Sequence, residues 1–190
     1  MTAAKSPKKK KAVKKTVKKS VKKTAAKDKK VLAIQPAASL VGKKLPGFSL
    51  AATGGKNVSL ELLTGQKFVL YFYPKDSTPG CTLEGHDFSK LKGEFKKSGA
   101  LVFGISRDSM KSHEKFKAKE NYSVDLLSDE DETVCKIFGV IKMKNMYGKQ
   151  VLGIERSTFV FDAEGKLRKE WRGVKVPGHA EEVLAYVKSL

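Results

Sequence analysis

The sequence predicts a mixed α/β fold, in which helices cover a central β-sheet. Residues 68–73, FVLYFY, form a short apolar run of β-branched and aromatic side chains, which is typical of a strand buried on both faces. Residues 82–97 instead carry apolar side chains at helical spacing. Residues 156–162 and 167–171 flank AEGK, whose glycine suits a hairpin turn. Strand and helix signals followed by a hairpin indicate a mixed sheet with helices packed on it.

The intervening segments complete this pattern. Residues 101–105 predict a second buried strand, and residues 109–120 predict a largely polar helix. Residues 130–138 have the spacing of a short helix that carries Cys135. Residues 180–190 predict a closing amphipathic helix.

Positive charge is concentrated at the N-terminus. The chain carries a net charge of +19, and residues 1–30 contribute +13 of it through 14 lysines and one aspartate. Residues 10–25, KKAVKKTVKKSVKKTA, repeat two lysines followed by two small or β-branched residues. Such a segment has too little apolar surface to offset the entropy of ordering. We therefore predict a disordered lysine-rich tail over residues 1–39 and one folded domain over residues 40–190.

The sequence contains neither a long apolar run nor a metal-binding pattern. It lacks the roughly 18 consecutive apolar residues that a membrane helix needs, and the N-terminus lacks the apolar segment of a secretory signal. Its two cysteines are too few for a disulfide framework, and its three histidines form no metal-binding cluster. These observations predict an intracellular, cytoplasmic protein without a membrane span, a structural metal or a cofactor.

Cys81 stands where the strand signal ends and the next helix signal begins. Pro79 and Gly80 precede it directly, and Thr78 can place its hydroxyl in the same small pocket as the sulfur. A free thiol is mostly protonated near neutral pH because its reference pKa is about 8.5. A helix N-terminus presents unpaired N–H groups and partial positive charge, which favour the thiolate. The pattern therefore makes Cys81 a candidate for a reactive thiol, with an inert buried thiol as the alternative.

Pro74, Thr78 and Cys81 fit the pattern P-x-x-x-T-x-x-C of the peroxiredoxins. The segment YFYPKDSTPGCTLEGHDF resembles the subfamily called bacterioferritin comigratory protein, or PrxQ. The similarity continues through VFGISRDSMKSHEKF, LLSDEDETVCKIFGV and ERSTFVFDAEGKL, and so extends over residues 40–190. The resemblance implies a thioredoxin-like fold and a thiol-dependent peroxidase that reduces hydrogen peroxide and organic hydroperoxides. It also implies thioredoxin or another thiol as the reductant, and a monomer.

The resemblance also implies the roles of individual residues. Cys81 is the expected peroxidatic cysteine, which becomes a sulfenic acid, while Thr78 and Pro74 shape its pocket. Arg156 is the expected active-site arginine. A permanently charged guanidinium with several fixed donors can stabilise a thiolate and orient a peroxide together. Glu84, three residues into the helix, is a candidate for capping the helix or for bonding to groups in the pocket.

The resolving cysteine is the point at which the chain departs from the subfamily. Many members carry a second cysteine five residues after the first, where this chain has His86. Others carry it in the helix predicted here over residues 109–120, which contains none. Cys135 remains the single candidate, but its apolar neighbours equally suit an inert, packed thiol. Both interpretations stay open at this point.

The tail resembles the lysine-rich tails of linker histones. Lysines at this density release counterions from a phosphate backbone, so they favour sequence-independent and salt-sensitive binding to DNA. Association with a nucleoid or nucleus is then expected, and the alternative function is a DNA-binding or protective protein whose peroxiredoxin-like domain senses redox state. A solubilising extension and attachment to an anionic membrane surface are the other interpretations of the tail. The candidate DNA-binding residues are Lys8, Lys9, Lys10, Lys11, Lys14, Lys15, Lys18, Lys19, Lys22 and Lys23.

Overall fold

A computed structural model describes residues 39–146 and 148–190. The elements in chain order are β1 (Ser49–Ala52), β2 (Lys56–Ser59), α1 (Leu60–Leu63), β3 (Lys67–Phe72), α2 (Pro79–Lys97), β4 (Ala100–Ser106), α3 (Met110–Glu120), β5 (Asp125–Ser128), α4 (Thr133–Ile137), β6 (Ile141–Met146), β7 (Lys149–Ile154), β8 (Ser157–Phe161), β9 (Leu167–Arg172) and α5 (His179–Ser189). Within this part of the chain, no helix is both long enough and apolar enough to cross a membrane. The ten candidate DNA-binding lysines lie outside the described residues, so the tail and its boundary stay predictions.

Seven strands form one mixed sheet in the order β2-β1-β5-β4-β3-β8-β9. The central strands β3, β4 and β5 are parallel, whereas β8 and β9 extend the sheet antiparallel beyond β3. The predicted hairpin turn at AEGK lies between β8 and β9, where Gly165 has φ +72°. The prediction of a mixed sheet is confirmed, and the architecture is that of a thioredoxin-like fold. Strands β6 and β7 form a separate antiparallel hairpin.

Strand β3 divides the core into two halves because successive side chains point to opposite faces of a sheet. Phe68, Leu70 and Phe72 belong to a cluster on one face, which α1, α4 and the β6–β7 hairpin cover. The alternate residues of β3 belong to a second cluster, which α2, α3 and α5 cover. Every residue from 68 to 72 is almost fully buried, which explains why this strand has the strongest signal in the sequence.

The structure contains elements that the sequence analysis does not predict. Hairpin β1–β2, helix α1 and hairpin β6–β7 are short, and their strands carry several exposed polar side chains. Their apolar patterns are therefore weak. The pairing of β1 with β5 and the packing of Leu63, Ile141 and Ile154 in the core hold them in place. Helix α2 also begins earlier than predicted, at Pro79, because a proline is well suited to the first helical position, where no N–H partner is needed.

Two glycines of α2 provide a matched test of its packing. A Cβ at Gly85 would lie 2.4 Å from Cζ of Tyr122, whereas a Cβ at Gly93 would have nothing within 4 Å. We expect Gly85→Ala to lower the free energy of unfolding by about 1–3 kcal/mol through overpacking. Gly93→Ala should raise it by about 0.5–1 kcal/mol, because alanine favours the helix. Urea denaturation of both variants checks this, and a loss of equal size in both would contradict the packing argument.

Candidate active site

The strand register brings the two ends of the predicted motif together. Strand β3 ends at Phe72, which pairs with Ser157 at the start of antiparallel β8. Arg156 precedes Ser157, so it lies beside the point where the chain leaves β3 and turns towards α2. Helix α2 then begins at Pro79 with Cys81 in its first turn. A contact between residues distant in sequence thus follows from one strand pairing.

Cys81 and Arg156 are in direct contact. The Arg156 Nη2 donates to Sγ of Cys81 at 3.3 Å. Cys81 is 3% exposed, and it is the third residue of α2, where the N-cap residue makes no side-chain hydrogen bond to the helix. The Cys81 sulfur therefore combines a guanidinium donor with the positive end of a helix. Gly80 permits this approach, because a Cβ there would lie 3.3 Å from Arg156 Nη2.

Glu84 holds the other side of the guanidinium. Arg156 Nη1 donates to Glu84 Oε2, and the two side chains are only 14% and 2% exposed. Burial raises the pKa of Glu84 to about 7, although the charge and the hydrogen bond of Arg156 act in the opposite direction. Oε1 of Glu84 is buried without a hydrogen-bond partner among the described residues. Of the two alternatives predicted for Glu84, the structure therefore shows the bond to a group in the pocket. In the sequence, the i+3 spacing from Cys81 indicates that both side chains lie on the same face of the helix.

Thr78 and Pro74 lie in the loop that joins β3 to α2. Thr78 is the N-cap residue of α2, and its hydroxyl donates to the carbonyl oxygen of Lys75 at 3.0 Å. Its proton is thus engaged within the loop, while the hydroxyl oxygen keeps the capacity to accept a hydrogen bond. Pro74 is half-buried and lines a surface cavity together with Arg107 and Glu132, among others.

Cys135 lies on the opposite face of the sheet from Cys81. Cys135 belongs to the cluster with Phe68, Leu70 and Phe72, whereas Cys81 belongs to the cluster beneath α2. Cys135 is fully buried, and both cysteines are free thiols. Burial, followed by the hydrogen bond and the charge of Asp129, raises the pKa of the Cys135 thiol far above its usual range. The Cys135 sulfur therefore stays protonated and shielded from the site.

Asp76 and His113 are two buried polar residues to which the sequence analysis assigns no role. Asp76 is 6% exposed and His113 is 0% exposed, and they form an ion pair at 2.9 Å. In the sequence, one lies in a polar loop and the other in a largely polar helix, which predicts exposure for both. Only the packing of α3 against the loop brings the two side chains together.

Comparison with known proteins agrees with this geometry. Residues 41–170 match the AhpC/TSA family. The chain is 56% identical over 140 residues to Peroxiredoxin Bcp of Xanthomonas campestris pv. campestris, which covers 74% of this chain and 88% of that protein. It is 45% identical over 150 residues to Peroxiredoxin Bcp of Bacillus subtilis, which covers 79% and 96%. A solved structure of the Xanthomonas campestris bacterioferritin comigratory protein is 55% identical with a TM-score of 0.72, over 75% of this chain and 90% of that one.

The match extends across the segment from the first strand to the final hairpin, and it includes Cys81 and Arg156. The TM-score to the solved relative agrees with the fold that the strand order shows. The chain therefore belongs to the AhpC/TSA family, and it is a thiol-dependent peroxidase of the bacterioferritin comigratory protein, or PrxQ, group of peroxiredoxins.

Proposed function

We propose that Cys81 is the nucleophile of this peroxidase and that Arg156 and Thr78 orient the peroxide. The observation that carries the proposal is the contact of Arg156 Nη2 with Cys81 Sγ at the start of α2. A guanidinium in that place stabilises the thiolate before attack and the charge that develops on the leaving oxygen during attack. Pro74 lies at the start of the loop that carries Thr78, and it would shape the pocket through that loop.

The chemical step balances with these groups. The Cys81 thiolate attacks the hydrogen-bearing oxygen of the peroxide, the O–O bond breaks, and its electron pair leaves with the distal oxygen as RO⁻. That oxygen takes up one proton to become ROH, or water when the substrate is hydrogen peroxide. Cys81 is oxidised to the sulfenic acid. Thr78 assists because its oxygen can accept the peroxide O–H, its own proton being engaged by Lys75.

We propose that the reductant is an external thiol, thioredoxin or another. Cys135 does not suit the resolving role, because it is fully buried in the cluster on the other face of the sheet. A thiol from outside would attack the sulfenic sulfur and release water, which leaves a mixed disulfide on Cys81. A second thiol would then release Cys81 and form the external disulfide.

Two finer proposals concern assembly and location. Cys81, Thr78, Glu84 and Arg156 all come from one chain, which supports a monomer as the active unit. Two free thiols and no disulfide pairing support a reducing, intracellular compartment such as the cytoplasm.

We further propose that the lysine-rich tail binds DNA. The supporting observation is the charge of +13 on residues 1–30, which exceeds the charge of the rest of the chain. Lysine side chains that meet phosphates hold a protein on the duplex without reading its bases. The tail would then keep the peroxidase close to nucleic acid, in a nucleoid or nucleus.

The cysteine assignment can be checked with peroxide and a small thiol. Cys81→Ser should abolish peroxide consumption, because serine supplies no thiolate. Cys135→Ser is the matched control and should keep most of the activity with dithiothreitol as reductant. Peroxide consumption and the mass of the intact protein after one equivalent of peroxide measure both variants. Activity of Cys81→Ser equal to that of the wild type would refute the assignment.

Glu84 gives stability an identifiable dependence on pH. The folded-state pKa, about 7, lies above the value of an unfolded chain, so the folded state binds this proton more tightly. The contribution is complete below about pH 4 and is lost as pH rises through about 7. Glu84→Gln should remove that loss. Between these pH values, the free energy of unfolding of the variant should therefore rise by about 2–3 kcal/mol relative to wild type.

Urea denaturation at a series of pH values measures the effect. The control is Glu94→Gln, which changes an exposed carboxylate of the same helix whose pKa is lowered by Lys97. The pKa shift of Glu94 is opposite in sign to that of Glu84. The free energy of unfolding of Glu94→Gln should therefore show no gain over wild type as pH rises. A pH-independent difference between Glu84→Gln and wild type would show that the pKa of Glu84 is the same in the folded and unfolded chain.

Binding of the tail to DNA should depend strongly on salt. Engagement of about six lysines gives a slope of about −5 in a plot of log affinity against log salt, at about −0.9 per phosphate contact. Deletion of residues 1–30 should abolish binding and leave the peroxidase rate unchanged. Gel-shift titrations of the full chain and the truncated chain across salt concentrations measure this. Equal binding by both, or none by either at low salt, would contradict the proposal.

A further inference from the structure

A buried ion pair ties the loop before Cys81 to helix α3. The His113 Nδ1 lies 2.9 Å from Oδ2 and 3.1 Å from Oδ1 of Asp76, and the two side chains are 0% and 4% exposed. Asp76 lies in the β3–α2 loop, two residues before Thr78. His113 lies in the first turns of α3, which follows β4.

Both ring nitrogens of His113 have hydrogen-bond partners. Nδ1 faces the carboxylate of Asp76, and Nε2 faces the carbonyl oxygen of Leu127 at 3.2 Å. Both partners are acceptors, and neutral imidazole has only one N–H to donate. An N–H at Nδ1 donates to the carboxylate of Asp76, so the two side chains are joined by a buried, charge-assisted hydrogen bond.

Other donors complete the shell around Asp76. The hydroxyls of Tyr73 and Ser112 donate to its carboxylate at 2.8 and 2.7 Å. Its backbone N–H donates to Oδ2 of Asp108 at 2.9 Å, and Asp108 also accepts from Ser106. Burial alone would raise the pKa of Asp76, but the hydrogen bonds and the charge of His113, with Ser112 and Tyr73, hold it below its usual value. The loop is thus fastened to the end of β4, to α3 and to β5.

The fastened loop contains a strained residue. Ser77, directly after Asp76, has φ +57°, a left-handed conformation that costs a non-glycine residue about 1–2 kcal/mol. Such a conformation persists where the surrounding contacts determine it. Thr78 follows at once, so the position of its hydroxyl depends on how firmly Asp76 is held.

We propose that Asp76 and His113 are positioning residues for peroxide reduction, because their ion pair holds the 74–78 loop in the conformation that orients the peroxide against Cys81. This inference rests on the proposed roles of Cys81 and Thr78. A buried ion pair adds little to overall stability compared with apolar packing, but it fixes geometry, and breaking one half of it leaves a charge uncompensated. A small displacement of the loop would be felt at the reacting atoms.

Two reagents separate positioning from general stability. Peroxide needs the donors of the pocket to orient it, whereas iodoacetamide alkylates any accessible thiolate without them. Asp76→Asn and His113→Gln each remove one charge and keep hydrogen-bonding capacity. Each should lower the rate constant of Cys81 with hydrogen peroxide by about tenfold to a hundredfold, the range for a misplaced reacting group. The rate of alkylation at Cys81, followed by peptide mass spectrometry, should change by no more than about twofold, because thiolate formation depends on Arg156 and the helix end.

The double variant Asp76→Asn/His113→Gln provides the rescue. Its two neutral amides can bond to each other, and neither leaves a charge unpaired. We expect its rate constant with peroxide to be at least about threefold higher than that of the slower single variant. Such non-additivity is typical of residues in direct contact. Additive losses would show that the two residues act independently and would overturn the proposal.

The control for destabilisation is Phe161→Leu. Phe161 pairs with Phe68 at the end of β3 opposite to the site, so the substitution weakens the core without touching the loop. It should leave the ratio of the peroxide rate to the alkylation rate unchanged. If Asp76→Asn or His113→Gln gives the same unchanged ratio, the pair is only structural.

Milder variants keep the test decisive if a charge deletion prevents folding. Tyr73→Phe and Ser112→Ala each remove one donor to Asp76. Each should also lower the ratio of the peroxide rate to the alkylation rate. An unchanged ratio in both would overturn the proposal. Failure of the proposed function is separately recognisable, since Cys81→Ser would then still consume peroxide.

Discussion

The contact between the guanidinium of Arg156 and the sulfur of Cys81 depends on one register, the pairing of the end of β3 with the start of β8. Because β8 is antiparallel to β3, the residue that enters β8 faces the residue that leaves β3. Helix α2 starts at the same edge, so its positive end and the arginine converge on one thiol. A slip of β8 by one residue would turn the side chains of that strand to the opposite face and break the contact.

The sheet also separates the two thiols chemically. Cys81 is at a helix N-terminus beside a cation, whereas Cys135 is packed among apolar and aromatic side chains near Asp129. The first place is the one proposed for the nucleophile, and the second is that of a packed core residue. Under the proposed mechanism the reducing thiol comes from outside the chain, because Cys135 is fully buried on the other face of the sheet.

Two pairs of buried charged side chains lie near the start of α2. Arg156 is held by Glu84 on one side, and the loop that delivers Thr78 is held by Asp76 and His113 on the other. Both pairs are expensive to bury, and neither is needed to fill the core. Their common feature is that they fix a geometry that apolar packing, which is non-directional, would leave free. The strained backbone of Ser77 shows where that restraint acts.

Local pattern alone was sufficient for the strongest elements, whereas the choice of Cys81 as the candidate nucleophile also rested on the resemblance to the peroxiredoxins. The run at residues 68–73, the helical spacing after Cys81 and the glycine of the late hairpin each carry their own signal, since burial on both faces, amphipathicity and a positive φ constrain residue type directly. The short hairpins β1–β2 and β6–β7 carried no such signal, because contacts with distant parts of the chain hold them: β1 pairs with β5, and Ile141 and Ile154 pack in the core.

Tertiary structure decided the rest of the site. The motif pointed to Thr78 and Cys81, and resemblance to a family pointed to Arg156, but neither showed that Glu84 binds the arginine or that Cys135 lies beyond the sheet. The ion pair of Asp76 with His113 joins a polar loop to a polar helix, and each looks solvated when considered alone. A buried charge pairs with the residue that the tertiary fold places beside it. The charge, size and polarity of a residue do not show from the sequence which residue that will be.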